Sequence, residues 1–469
     1  MTSYSEFLAR KAIVAPPSGF EPDMRLMPPA IKQFQRDIVT WACRRGRSAV
    51  FAGTGLGKTI QELSWLRQAV DHTGGQALLF APLAVAEQIV QSEAPKFGFG
   101  DEVAYAADEG SISAPITVTN YERMDKFDLS QFAAIGLDES GRIKSHDSRT
   151  RLELTEACKE TPYLLCASAT PAPNDWTELG QHSEFLGVLS AKEMLATFFV
   201  HEGSVRANAE EDWRLKRHAQ DDFWRWVSSW AVMIRHPRDL GYEEPGYDLP
   251  PLHIRQITVD VDAKPLDGML FAMEARTLQE RLGARRNSIP DRVAATAALV
   301  AAEPEEQWLI WAGLNDEADA LCRAIPRAVN VQGSDSVDFK VKNLLGFTRG
   351  DPWVLVSKPS IAGHGMNFQN CKRMAFCGLN DSFEQLFQAI RRCWRFGQTE
   401  EVHAYMIASS LEGAVVANLQ AKERKYEQMA AAMQTHMKDL CAENVRGAAR
   451  RKTPYEPKIK MELPRWLGA

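Results

Sequence analysis

Residues 49–59, AVFAGTGLGKT, place three glycines, Gly53, Gly55 and Gly57, immediately before Lys58 and Thr59. Glycine lets the backbone curl so that successive N–H groups point at one anion, and a following helix N-terminus adds partial positive charge. Gly53, Thr54, Gly55, Leu56 and Gly57 therefore form a candidate phosphate cradle. Lys58 is placed to neutralise β- and γ-phosphates, and Thr59 to hold Mg²⁺. Ala52 occupies the position where the strict GxxxxGK[ST] pattern has glycine. A second group ends the apolar run AAIGLDES: Asp138 and Glu139, 80 residues beyond Lys58 (138 − 58). That is enough chain to bring both strand ends to one sheet edge, where ligands of open α/β sheets gather. Asp138 would then bind Mg²⁺ through water, and Glu139 would orient or deprotonate the attacking water. A third group lies in QAIRRCWRFGQ, where Gln388, Arg392 and Arg395 have the spacing of one helical face. Two arginines on a face can clamp a γ-phosphate, although surface helices carry such pairs in ordinary ion pairing. His146, His236 and His364 lie near these segments without metal-ligand spacing and receive no catalytic role.

Positioning such groups requires parallel sheets. Five nearly continuous apolar runs, SAVFAG, ALLFAP, ITVTN, AAIGLDE and YLLCASAT, are followed by WLIWAGL, AVNVQG, WVLVSKP, RMAFCGL and VHAYMIA. Runs of this kind, separated by polar helical stretches, predict strands buried on both faces. The expected architecture is α/β: two tandem doubly wound lobes, a helical segment between them and a helical, basic C-terminal extension. The Gly/Pro-rich stretch 241–253 marks the lobe boundary. Residues 181–240 read as helical and outside any sheet, with Phe223, Trp226, Val227 and Trp230 on one face as core, or less simply as base-stacking groups. The expected divisions are 1–25 as an extension, 26–180 as the first lobe, 181–250 as helical segment and linker, 251–440 as the second lobe, and 441–469 as a basic tail. From Val445 onward there are seven Lys/Arg against two Glu.

Composition narrows the class without choosing the substrate. The 469 residues exceed one compact core; 45% are hydrophobic and 25% charged, as in soluble globular proteins. A cytoplasmic location follows from the want of a long apolar run or signal-like N-terminus. The eight cysteines form no CxxC pair, which speaks against a zinc or disulfide framework. A net charge of −6 excludes a blanket attraction to nucleic acid but leaves room for a local basic groove.

In this order the segments resemble superfamily 2 helicases, and within them the Swi/Snf-like group of DNA translocases, over about residues 34–425. AGTGLGKT corresponds to the family's motif I, LDES to motif II, SAT (Ser168–Thr170) to motif III, IAGHGMNFQ to motif V, and QAIRRCWRFGQ to motif VI. The KPSIAGHGMNFQN wording is similar to compact phage and prophage helicases. The resemblance implies two RecA-like lobes and use of ATP and Mg²⁺. It implies adenine reading by Gln35, further nucleotide contacts by Gly365 and Gln388, and Arg392 and Arg395 reaching across the interlobe cleft, with Arg395 as the finger. It also implies DNA tracking by Pro82, Leu83, Thr119, Asn120, Gln332, Gly333, Ser334 and Asn367. Ala52 fits the superfamily's form of the loop. Motif II departs from the DEAH and DEAD wording: Ser140 and Gly141 follow Glu139. Coupling of the water site to motif III is thereby altered. Motif V has one residue more than usual between Ser357 and Asn367. The expected activity is ATP-driven movement along, or remodelling of, duplex or single-stranded DNA. The setting is phage-type replication, recombination or repair, with the protein a monomer in solution and other replication or recombination proteins as partners. The alternatives are an ATP-gated nucleic-acid clamp with slow turnover and an RNA helicase.

Overall fold

The computed structural model describes residues 14–141, 149–172, 175–201, 213–260, 285–362, 366–379, 382–410 and 413–446. The first sheet contains β1 (Arg47–Ala52), β2 (Gln76–Ala81), β3 (Val103–Tyr105), β4 (Ile116–Asn120), β5 (Phe132–Asp138), β6 (Tyr163–Ala167) and β9 (Ala231–Ile234). They run parallel in the order β3-β4-β2-β5-β6-β1-β9. Between β6 and β9 the chain forms an antiparallel pair, β7 (Phe199–His201) with β8 (Trp213–Leu215). The second sheet contains β10 (Leu252–Val259), β11 (Trp308–Ala312), β12 (Ala328–Val331), β13 (Val354–Ser357), β14 (Arg373–Cys377) and β15 (Val402–Ser409). Its order is β10-β15-β14-β11-β13-β12, again with every pair parallel. Both are RecA-like α/β lobes, and all ten apolar runs of the sequence are strands in them. Parallel strands covered on both faces need no alternation, so an apolar run alone marks them.

Six helices matter to the site: α1 (Gln33–Arg45), α2 (Lys58–Thr73), α3 (Leu179–Phe185), α4 (Gln220–Ser228), α5 (Phe383–Ile390) and α6 (Gly413–Arg446). Helix α2 starts at Lys58 because Gly57 holds a left-handed conformation (φ 76°) and lets the strand turn directly into the helix. It ends at Gly74, also left-handed, as a C-terminal glycine usually does. Among the described residues no helix is long and apolar enough to cross a membrane.

Several expectations about segment boundaries are corrected. Residues 181–240 do not all lie outside the sheets, since AVMI at 231–234 is β9, the edge strand beside β1. Four apolar residues inside a tryptophan-rich helical pattern carry too little period to reveal this. Phe223, Trp226, Val227 and Trp230 are all buried, together with Trp224, which settles their role as core. The stretch 241–253 runs into β10 at Leu252. Part of the N-terminal extension belongs to the first core: Phe20 is buried and stacks on His72 at 4.3 Å. The largest change concerns α6, whose residues to 440 were grouped by sequence with the second lobe and the rest with the basic tail. Met437, Cys441 and Val445 instead join the first lobe's core, Gln434 Nε2 donates to Asp239 Oδ1 at 2.6 Å, and His436 stacks on Trp224. The chain thus leaves the second sheet and returns to cover the first. Of the basic tail, 447–469 lie outside the described residues.

Candidate functional site

The C-terminal ends of β1 and β5 lie on one edge of the first sheet, with β6 between them. This brings the glycine loop and the Asp-Glu pair together. Gly55 (φ 89°) and Gly57 are both left-handed, which an L side chain resists. At Gly57 an added Cβ would lie 2.3 Å from Gln35 Nε2, so a side chain there would have to displace the Gln35 amide. Gln35 is buried in α1; its Nε2 donates to Leu56 O at 2.9 Å and its Oε1 accepts from Lys32 N at 2.8 Å. The amide retains one donor and one acceptor position beyond these bonds. Gly53 differs from its expected role in the cradle. Its N–H donates to Ile234 O of β9 at 2.9 Å, so it extends the sheet instead of offering that N–H to a phosphate. The first-turn N–H groups of α2, Lys58 and Thr59 included, have no acceptor within their own helix. Lys58 Nζ makes one long contact, 3.4 Å to Ala52 O, and Thr54 Oγ1 is buried with no hydrogen-bond partner among the described residues.

Asp138 is buried at the end of β5, and its Oδ1 accepts from Glu139 N at 2.8 Å. Glu139 holds a left-handed backbone (φ 50°), rare for a side chain of this size. Burial, followed by the neighbouring Glu139 charge, pushes the Asp138 carboxyl up to about 7, while Lys58 opposes the shift. Tyr121 fixes the turn by donating its hydroxyl to Asp138 O at 2.7 Å. Ser140, the departure in motif II, places its Oγ 3.1 Å from Nε2 of buried His182 on α3. This turn is therefore coupled to the segment after SAT. Nothing in the sequence marks His182, which is 42 residues from Ser140. Glu62 was also missed. One turn beyond Lys58 on α2, it is fully buried; both carboxyl oxygens lack hydrogen-bond partners among the described residues. Burial and then Asp138 raise its carboxyl well above the usual range. Its spacing of four from Lys58 was the available signal.

From the second lobe, α5 ends at Ile390, so Arg392 and Arg395 do not share its face as spacing suggested. They converge through turns. Arg392 donates Nη2 to Gln388 Oε1 at 2.9 Å and Nε to Gln388 O at 3.1 Å. Arg392 Nη1 and Arg395 Nη1 both point at Met366 O, at 3.4 and 3.3 Å. Burial and then Arg395 lower the Arg392 guanidinium to about 10, and Glu139 and Asp138 pull it back up. Residues of both lobes thus act on one another electrostatically. Burial likewise lowers Arg395, opposed first by Glu93. Phe396 closes the junction: a Cβ on Gly55 would lie 2.9 Å from Phe396 N. Tyr247, in the interlobe linker, packs on Phe396 with ring centroids 4.5 Å apart, and Phe34 packs on Tyr247 at 5.5 Å. Beside this junction lies a cavity of about 350 Å³ bounded by Gly53, Thr54, Ala169, Arg235, Arg391 and Trp394.

The strand-tracking set divides. Thr119 and Asn120 are buried at the end of β4. Thr119 Oγ1 donates to Ala106 O at 2.8 Å; Asn120 accepts from Tyr105 OH at 2.9 Å and donates to Glu122 Oε2 at 2.8 Å. Both side chains are buried and bonded inside the lobe, although each amide or hydroxyl keeps hydrogen-bonding capacity beyond these bonds. Pro82 is buried at the start of a short helix, whereas Leu83 is 52% exposed. In the second lobe Gln332 is tied to Asp319 and Asp335, Gly333 O accepts from Lys340 Nζ, and Ser334 is exposed. Asn367 is half-buried and accepts from Gln369 N at 3.3 Å. Gly365 lies outside the described residues.

No protein-family model matches the chain, and no curated protein does. Among solved structures the chain is similar to the SWI2/SNF2 ATPase core of Sulfolobus solfataricus in complex with double-stranded DNA. The identity is 17% and the TM-score 0.41, over 91% of this chain and 98% of that one. The two parallel sheets themselves carry the fold assignment.

Proposed function

We propose that the chain is an ATP-dependent motor on DNA, of the superfamily 2, Swi/Snf-like type. One observation carries this reading: Arg392 of the second lobe lies within electrostatic reach of Asp138 and Glu139 of the first. A hydrolysis site divided between two lobes makes lobe closure depend on nucleotide, which is what a motor requires. The residues fit a nucleotide and its cation. Thr54 Oγ1 is a buried hydroxyl without a hydrogen-bond partner among the described residues, the first turn of α2 offers N–H donors, and Asp138 is raised by burial and then by the charge of Glu139, which a bound cation would offset. Thr59 and Asp138 would hold Mg²⁺, and Gly55, Leu56, Gly57 and Lys58 would hold the phosphates. Bound ATP with Mg²⁺ supplies the phosphoryl group and the free energy of its hydrolysis. Glu139 orients water and takes its proton, and Arg392 and Arg395 present positive charge from the opposite lobe. Gln388 holds the Arg392 guanidinium in place. Leu83, Gln332, Ser334 and Asn367 are the sequence-selected tracking residues with side chains at least partly open to solvent. The motif V wording supports a task in phage-type DNA replication, recombination or repair.

The test is ATP turnover with and without duplex DNA, single-stranded DNA and RNA at stated salt. Lys58→Ala and Glu139→Gln should abolish DNA-stimulated turnover while leaving the circular dichroism spectrum unchanged. Full turnover in folded Glu139→Gln protein would sink the mechanism, and stimulation by RNA alone would move the substrate.

A further inference from the structure

Strand β10 is an edge strand that pairs, among the described residues, with β15 alone, and it is the strand on which the interlobe linker enters the second sheet. At its start His253 is paired in register with His403 of β15. The two imidazoles stack at 4.7 Å with 24° between their planes. Glu401, just before β15, places Oε2 3.0 Å from His253 Nε2. Taking one ligand atom from each residue, the three lie within 4.8 Å of one another, the one such group of His, Cys, Asp or Glu among the described residues. His403 Nδ1 is buried and has no hydrogen-bond partner among the described residues. None of the three belongs to the nucleotide site.

We propose that His253, Glu401 and His403 form a binding site for a Zn²⁺-class transition-metal ion that fastens the linker's landing strand to β15. Two imidazoles and one carboxylate suit zinc, with water as the fourth ligand, and nitrogen donors select against Mg²⁺ and Ca²⁺. Cation binding would replace the hydrogen bond between His253 and Glu401. The surrounding charge permits it. Arg373, in register with His403, is bound to Glu303 at 2.6 Å, and Lys372 is paired with Glu306 and Glu400. Arg255 also acts on His403 but is itself exposed to solvent, so the two partly buried cations, Arg373 and Lys372, are offset by Glu303, Glu306 and Glu400. The site is open to solvent, with the His253 side chain 40% and Glu401 59% exposed. Pinning Glu401 also pins the segment that joins Arg395 to β15, while Trp394 Nε1 already donates to Pro250 O at 2.7 Å on the adjoining linker. A bound ion would therefore tie the end of motif VI and the end of the linker to the same sheet edge.

The experiment uses the tag-free full chain, stripped with chelator and kept in excess Mg²⁺ without nucleotide. Zn²⁺ is titrated calorimetrically, and Co²⁺ is added separately as a spectroscopic probe. The proposal expects one Zn²⁺ per chain, an upward shift of the unfolding midpoint on adding Zn²⁺, and visible Co²⁺ d–d bands without thiolate charge-transfer absorption. Stoichiometric binding and the shift should be lost in the double variant His253→Ala/His403→Ala and weakened in Glu401→Gln. Binding unchanged in the folded double variant would overturn the site. So would Co²⁺ spectra of thiolate type, or no saturable binding, in the wild-type chain, neither of which depends on any variant folding.

Discussion

Replacing Asp138 by asparagine should stabilise the unliganded protein, and by an amount that grows with pH. The carboxyl is buried beside Glu139 and its position is near 7 against an ordinary 3.8. Its folded value is raised, so the folded state binds the proton more tightly than the unfolded chain. Stability from this group is complete below pH about 4 and is lost as pH rises through about 7. A displacement of about three units, at 1.36 kcal/mol each, makes the loss about 4 kcal/mol as an upper figure. Glu62 shares the same repulsion, since Asp138 is among the causes of its own rise. The asparagine amide would carry no charge at any pH and would relieve both. The assay is urea unfolding of wild type and Asp138→Asn at pH 5.5 and pH 8.5, in chelator. The variant's advantage should be on the order of 2 kcal/mol at the lower pH, where about half of the loss has developed, and about 4 kcal/mol at the higher. Adding Mg²⁺ should narrow the gap at pH 8.5 by stabilising wild type alone. A gap that stays constant with pH would show that the carboxylate is not penalised by its burial, and the account of the site's need for a cation would fall with it.

Three further outcomes follow from other parts of the molecule. Arg292 and Glu317 form an ion pair at 2.7 Å with neither side chain exposed, and Glu317 also accepts from Gly313 N and Leu314 N; Arg292→Met should cost about 3–5 kcal/mol in chemical unfolding. Met437 of α6 is fully buried in the first lobe's core, so Met437→Ala should cost about 2–5 kcal/mol, and first-lobe amides should lose hydrogen-exchange protection if α6 indeed belongs there. All eight cysteines are free thiols, and burial raises the half-buried Cys322 to about 11. Native protein at pH 8 should therefore react slowly with a thiol reagent, and unfolded protein should react at all eight positions, because only the thiolate attacks.

What was legible in the sequence was local. Ten apolar runs became ten strands because a parallel strand buried on both faces announces itself by composition alone. Gly55, Gly57, Lys58 and the Asp138–Glu139 pair could be found because left-handed backbone and a helix start restrict residue type within a few positions. Other features depended on contacts between distant segments. AVMI became β9 only by pairing with β1, and its Ile234 O then occupies the N–H of Gly53 just beyond that strand. Thr119 and Asn120 look like loop polar residues, but they are buried, and the neighbouring β3 supplies Tyr105 and the segment after it Ala106 as hydrogen-bond partners. Glu62 and His182 carry no motif; their meaning comes from the burial and charge around them. Arg392 and Arg395 were singled out by type and spacing, and they converge through the turn after Ile390, held by Gln388 and Met366 O, and not through a helical face. Residue type and short spacing determined which groups could do chemistry. Tertiary structure decided which of them share one buried space, because burial and mutual charge depend on packing that no local window contains.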